Sequence, residues 1–230
     1  MEELNSGPAK TTRGAQTRAL ILETALEIFK ERGYEQTTMR AIAQRSGVAL
    51  GNAYYYFKSK EHLIQAFYIH MHDELLAAAG PILDREEDLK PRLQLVLRAA
   101  VLSMEQYHQF AAALFKTAAD PASPLNPFSA ESVEARAQAT RLFERVAVGS
   151  RTRIPKDLRA EIGYLLWLYY MGIVLFWIHD ESPGRRRTYR LVDRTSEIVI
   201  RLISLSSNPL MRSLRKLALR LVAELREDIK

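Results

Sequence analysis

The chain has 230 residues, of which 47% are hydrophobic and 26% charged, an ordinary globular composition that can bury a real core in one large domain or two small ones. It contains no cysteine, which excludes disulfides and thiolate metal sites and fits a reducing cytoplasm. The formal net charge is +6, with nine Lys/Arg against four Glu over 10–60 and eleven Lys/Arg against three acids over 184–226, so both ends favour a polyanion and charge alone does not choose between them.

The first residues, MEELNSGPAKTTRGAQ, lack the apolar stretch of a secretory signal, and 1–13 read as a flexible basic arm. Nearly every later segment has helical periodicity and none alternates convincingly with period two, so the fold class is all-α. A first helix is predicted over about 14–32, with Leu22, Ala25, Leu26 and Phe29 on one stripe and Gly33 as its stop. A short second helix follows Thr37-Thr38, either of which can cap it; Met39, Ile42 and Ala43 face inward, and Gly47 ends it. The third runs from about Leu50 to Phe57, and Ser59 then caps a long fourth helix with Glu61 in its first turn.

Further helices are expected at about 90–107 and 109–119, followed by the proline-rich break DPASPLNPFSAES and a helix near 130–149. Pro155 opens another that lasts to His179, where Ser182-Pro183-Gly184 stops it. Two more follow at about 186–206 and 210–228, the last with Pro209 at its first position. The stretch 163–178 has sixteen residues without a charge, but a membrane span needs about 20 and this one holds two glycines and three tyrosines. A helix apolar all round is instead buried on several sides.

Residues 38–57, TMRAIAQRSGVALGNAYYYF, have the spacing of a helix-turn-helix. Its interior can be built from Ile42, Ala43, Val48, Ala53 and Phe57, which leaves Leu50, Gly51 and Tyr54 on the other side, flanked by Asn52 and Tyr55. Asn52 can pair with adenine in the major groove, and Gly51 lets a helix approach bases closely. Tyrosine hydroxyls, lysine ammoniums and the free N–H groups at helix starts, such as those at Thr38 and Ser59, reach phosphates. Spacing alone leaves DNA binding and mere packing both open.

The segment TTMRAIAQRSGVALGNAYYYFKSKEHLIQAF, extended back through ALEIFKERGYEQTT, resembles the DNA-binding signature of the TetR family of bacterial transcriptional regulators. The matching positions are Thr37-Thr38, Ile42-Ala43, Gly47-Val48, Gly51, Tyr54, Tyr56-Phe57, Ser59-Lys60-Glu61 and Leu63; Ala53 departs from the family's larger apolar residue. The resemblance implies a DNA-binding domain over 14–58 and a helical ligand-binding and dimerisation domain over 59–230. It puts Thr38, Tyr56 and Lys60 on phosphates and Leu50, Gly51, Asn52 and Tyr54 nearest the bases. Arg40 and Tyr55 are further contacts, and Lys10 and Arg13 of the arm are candidates for phosphate or the minor groove.

By the same resemblance, the helices at 156–179 and 186–206 form a four-helix interface between two copies. A pocket is expected between the helices that begin near 59, 90, 130 and 156. Its candidate lining is His70, Leu97, Val101, Met104, Tyr107, Phe143, Tyr164, Trp167 and Met171, with simple core packing as the rival role for each. The implied protein is a cytoplasmic homodimeric repressor on a palindromic double-stranded operator, released by a small-molecule effector. Neither a cofactor, a metal nor a membrane enters this reading. His70 and Glu74 are the one usable metal pair in YIHMHDE, and two ligands do not make a site. No phosphate-cradling or nucleophile–base motif suggests an enzyme. The competing reading is a helical binding protein whose first helices only pack.

Overall fold

The computed structural model describes residues 7–227, with side chains from 13 to 224. Eleven α-helices and three short 3-10 turns run through them, and the described residues contain no strand. The first four are α1 (Gly7–Arg32), α2 (Met39–Arg45), α3 (Leu50–Tyr56) and α4 (Lys60–Arg85). Then come α5 (Leu89–Met104), a 3-10 turn at Glu105–Tyr107, α6 (His108–Ala118) and α7 (Val133–Val148). The chain finishes with α8 (Lys156–Arg159), α9 (Ile162–Ile178), α10 (Arg186–Ser206) and α11 (Arg212–Glu227).

Two boundaries differ from the sequence expectation. α1 begins at Gly7 and takes in half of the segment read as an arm. Pro8 sits in its first turn, where a missing N–H costs nothing, and no strong breaker follows before Gly33. The helix expected from Pro155 to His179 is two helices, because the Glu161 N–H bonds to the Leu158 carbonyl three residues back and interrupts the α-helical ladder.

The buried side chains form two cores that meet along α4. Leu63, Ile64 and Phe67 of α4 belong to one core with Ile21, Phe29, Ile42, Ala53 and Phe57, together with Tyr107, Phe110 and Leu114. Leu75, Ala79 and Leu83 of α4 belong to the other, with α5, α7, α9 and α10. The N-terminal core therefore extends past residue 58 and includes the start of α6. α9 presses closely on α7 at Gly163, where a Cβ would lie 2.7 Å from the Thr140 carbonyl oxygen. No described helix is long and apolar enough to cross a membrane.

Two buried charged groups fix helix ends. The Arg92 guanidinium donates to the carbonyls of Leu83, Glu86, Arg145 and Val146, all at 2.8–2.9 Å, which ties together the ends of α4 and α7. Gly149 leaves room for it, since a Cβ there would stand 2.6 Å from Arg92 Nη2. At the corner between α9 and α10, the buried Asp180 carboxylate accepts from the Ser182 N–H at 2.9 Å, the Thr188 N–H at 2.8 Å and the Thr188 hydroxyl at 2.7 Å. Burial acts to raise its pKa, and the hydrogen bonds from Ser182 and Thr188 overrule it, holding the carboxyl far below the usual carboxylate range.

α11 docks on its own domain along one side only. Arg215 pairs with Asp157 at 3.0 Å, and Leu219 packs against the core. Leu210, before the helix, and Leu214, Leu217 and Leu221 stay exposed, whereas the Leu225 side chain lies outside the described residues. On α10, Ile198, Leu202 and Leu205 are exposed as well. Those seven residues form exposed apolar surface along α10 and α11 and the turn between them.

Candidate DNA-reading helix and ligand cavity

The helix pair α2–α3 is assembled by small, specific choices. Thr38 has extended backbone angles and its hydroxyl accepts from the Ala41 N–H at 3.2 Å, which caps α2. Gly47 takes a φ of +68°, a left-handed conformation that the turn requires and that suits glycine. The Val48 N–H then donates to the Ala43 carbonyl at 3.0 Å and sets the entry to α3. Ile42, Ala43, Ala53 and Phe57 are buried, so the inward face is the one the sequence predicts. Ala53 is fully covered despite its small size.

The opposite face is open. Gly51, Asn52, Tyr54 and Tyr55 on α3 are exposed, as are Thr38 and Arg40 on α2. Tyr55 is the most open of the three tyrosines at 80% exposure, against 48% for Tyr54. Tyr56 is half-buried with its hydroxyl beside Gly14 of α1, and its ring meets the Tyr55 ring edge-on at 5.1 Å. Leu50 is also half-buried and packs against the N-terminal core. Lys60 turns back onto the loop before α2: its Nζ donates to the Tyr34 carbonyl at 2.8 Å and lies 4.4 Å from the Tyr34 ring centre. Arg13 is exposed on α1, and the Lys10 side chain lies outside the described residues.

A cavity of about 260 Å³ lies between α4, α6, α7, α9 and the end of α5. Of the candidate lining residues, Met104, Tyr107, Phe143, Trp167 and Met171 reach its wall. Leu97 and Val101 are instead sealed in the core at 0% exposure, and Tyr164 stands behind Trp167 with ring centres 5.4 Å apart. His70 is exposed on the far side of α4 and pairs with Glu74 at 3.3 Å. Tyr68 and His72 take the place on the wall that the sequence reading gave to His70. Four residues apart, they share the face of α4 that continues Ile64 and Leu75, whereas His70 is turned well away from it. A strict helical projection of α4 from its buried stripe would have selected them.

The second omission is α6, whose Phe110, Leu114 and Phe115 line the cavity. Two residues here touch both cavity and DNA-reading domain. Phe110 stacks on Phe29 of α1 with ring centres 5.5 Å apart and planes 5° apart. Tyr107 lies under Lys30 of α1, whose Nζ is 4.0 Å from the ring centre. Burial, followed by the charges of Glu74 and Glu23, pushes the Tyr107 phenol above its ordinary pKa. Burial also lowers the pKa of His72, more than Asp73 raises it, which favours the neutral imidazole.

An exposed helix-turn-helix joined through shared core residues to a cavity-bearing helical domain is the architecture of a DNA-binding regulator. Residues 21–67 match the family model described as bacterial regulatory proteins of the tetR family, and 92–221 match the model of the tetracyclin repressor-like C-terminal domain. The chain belongs to the TetR family. It is 34% identical over 91 residues to the HTH-type transcriptional repressor KstR2 of Mycobacterium tuberculosis, covering 40% of this chain and 46% of that protein. It is 39% identical over 66 residues to the HTH-type transcriptional regulator UidR of Escherichia coli K12, covering 29% of this chain and 34% of that one. The match thus spans less than half the length of either relative. Among solved structures, the fatty acid degradation regulator FadR of Bacillus halodurans superimposes with a TM-score of 0.62 at 15% identity, over 86% of this chain and 97% of that one. FadR of Bacillus subtilis in complex with stearoyl-CoA gives a TM-score of 0.60 at 16% identity, over 79% and 97%. Likeness at that level of identity is a likeness of fold.

Proposed function

We propose that this protein is a homodimeric transcriptional repressor that leaves a palindromic operator when a small molecule fills the cavity. The observation that carries the reading is the shared wall: Tyr107 and Phe110 line the cavity and pack directly on Lys30 and Phe29 of α1. A ligand that moves the start of α6 therefore acts on the DNA-reading domain through contacts already in place. α4 adds a second route, since its first turns belong to the N-terminal core and its middle lines the cavity. The ligand must favour the spacing of reading heads that does not fit DNA, otherwise it shifts nothing.

The domains of this reading are a DNA-reading unit over 14–58 and an effector and dimerisation unit from 59 onward. The second copy meets this one through α9 and α10, whose exposed apolar residues include Leu175, Phe176, Ile198 and Leu202, and those before and on α11 extend that surface. Two-fold symmetry would set the two α3 helices in successive major grooves, about 34–36 Å apart. Thr38, Tyr56 and Lys60 then hold phosphates, Leu50, Gly51, Asn52 and Tyr54 face bases, and Arg40 and Tyr55 flank them. The relatives named as a repressor and a regulator support this role, and the fold shared with a FadR that holds stearoyl-CoA supports an effector in the C-terminal domain. The protein acts on DNA in the cytoplasm as a regulator and not as an enzyme. Selection of bound DNA from a random pool tests it: an enriched palindrome is the expected result, and a pool without an enriched sequence would overturn the proposal.

A further inference from the structure

The cavity has one charged lining residue, and that residue is already engaged. Arg136 donates through Nη1 to the carbonyls of Pro127 at 2.6 Å and Ser129 at 3.2 Å, which fixes the loop before α7. Ser103 donates to the Ala100 carbonyl at 3.0 Å, and Ser132 accepts from Gln65 at 3.0 Å. The Trp177 indole N–H is taken by Glu105 at 3.2 Å, and Tyr170 points its hydroxyl at the Met104 sulfur, a weak acceptor, at 3.5 Å. Burial favours the neutral form of His72.

Tyr68 is different. Burial raises its phenol well above the ordinary range with no other cause, and its hydroxyl makes no hydrogen bond among those of the described residues. The side chain keeps some accessible surface, and it is part of the cavity wall. That hydroxyl is open to the cavity and meets no protein group there, so a ligand that displaces the cavity water must bring an acceptor to that point. The Tyr107 hydroxyl on the same wall likewise makes no hydrogen bond among the described residues, and the remaining wall is mostly aromatic and aliphatic, with Phe67, Phe110, Phe143 and Trp167 among the rings. As for size, a cavity of 150 Å³ holds benzene, so about 260 Å³ holds on the order of ten to twelve non-hydrogen atoms.

We infer that the effector is an uncharged, mostly apolar molecule of bicyclic size that carries one hydrogen-bond-accepting oxygen, received by the Tyr68 hydroxyl. An anion is disfavoured because its charge would be buried without a free cation beside it. This inference rests on the reading of the cavity as the effector site.

The test uses three bicyclic probes of about ten to twelve non-hydrogen atoms, titrated by calorimetry into the full-length protein without DNA: α-tetralone, tetralin and indane-2-carboxylate. Tetralone is expected to bind about tenfold more tightly than tetralin, and the carboxylate more weakly than either. Tyr68→Phe should cost tetralone about tenfold and leave tetralin unchanged. Should Tyr68→Phe prove poorly folded by circular dichroism, Ala139→Met, which fills the cavity from α7, should abolish tetralone and tetralin binding together. A carboxylate that binds as well as the ketone, no binding of any probe, or a Tyr68→Phe protein that binds tetralone normally would each overturn the inference. Anisotropy of labelled operator DNA separates the two proposals. Tetralone that binds but leaves DNA in place sinks the regulatory reading and spares the ligand class; operator binding without any calorimetric response does the reverse.

Discussion

Gly51 has open space where a Cβ would sit and no left-handed φ, so nothing inside the protein demands glycine there. Alanine is the better helix former by up to ~1 kcal/mol, and Gly51→Ala should therefore match or exceed the wild type in urea denaturation. If α3 lies against bases, the same methyl should weaken operator binding on the order of tenfold, comparable to one mismatched base pair. A variant that loses stability yet binds DNA normally would contradict both halves. Asn52 and Lys60 divide differently. Asn52→Ala should cost about 1–3 kcal/mol of preference at one base pair and little on random DNA. Lys60 has three N–H donors, of which the Tyr34 carbonyl takes one at 2.8 Å and the Glu35 carbonyl a second at 3.5 Å. Lys60→Met should weaken every sequence alike and lower the slope of log affinity against log salt by about one. It should also loosen the loop before α2, which a thermal melt without DNA would read as a lower midpoint.

The interior face of α3 was legible because period and residue size agree: Ala53 and Phe57, four apart, could only point inward together. The tyrosines were legible only in outline. Tyr54 and Tyr55 are open as the pattern implies, but the half-buried seat of Tyr56 against Gly14 needs α1, and no local pattern reports a contact across 42 positions.

Among the elements, the least legible features are those where a side chain serves a distant helix end. Arg92 reads in the sequence as one more basic residue on α5, yet its four carbonyl partners lie on α4, after α4 and at the end of α7. A lysine has one nitrogen and cannot reproduce that fork, so Arg92→Lys should cost about 3 kcal/mol in denaturant unfolding. Gly149→Ala meets the same guanidinium and should be less harmful in the Arg92→Lys background than alone, a non-additivity that a double-mutant cycle measures. Equal penalties in both backgrounds would show that the crowding is with the Arg145 carbonyl, 3.0 Å from that Cβ.

Asp180 is the counterpart at a helix start. Its folded pKa is depressed, so its contribution to stability is present above the unfolded value of about 3.9 and is lost as the pH falls through the folded value. Asp180→Asn should therefore be less stable than the wild type by about 2 kcal/mol at pH 7, and the gap should narrow as the pH is taken below about 4. A gap that stays constant from pH 7 to pH 3 would assign the loss to packing and not to charge. The break between α8 and α9 escaped the sequence for a related reason. Both sides carry good helix formers, and only the three-residue bond from Glu161 to Leu158 interrupts them.

At the scale of the whole molecule, two cores joined along α4 give a cavity ligand a direct route of contacts to the N-terminal helices. One contact of this route can be removed without substituting a cavity-wall residue, that of Lys30. It reaches Tyr107 through its ring and Gln106 through a 3.4 Å hydrogen bond, and it lines neither the cavity nor α3. A cation over an aromatic ring contributes about 0.5–1 kcal/mol at an exposed site. Lys30→Ala should leave the affinity of α-tetralone for the DNA-free protein unchanged, because nothing in the cavity has moved. The drop in operator affinity that tetralone causes should shrink about two- to fivefold, since part of the coupling energy ran through this contact. Binding free energies are reciprocal, so operator DNA should lose its effect on tetralone affinity by the same factor. Calorimetry with and without operator, beside anisotropy with and without tetralone, measures both sides of that cycle. Unchanged coupling in the variant would move the whole of the transmission to Phe29, Phe110 and α4.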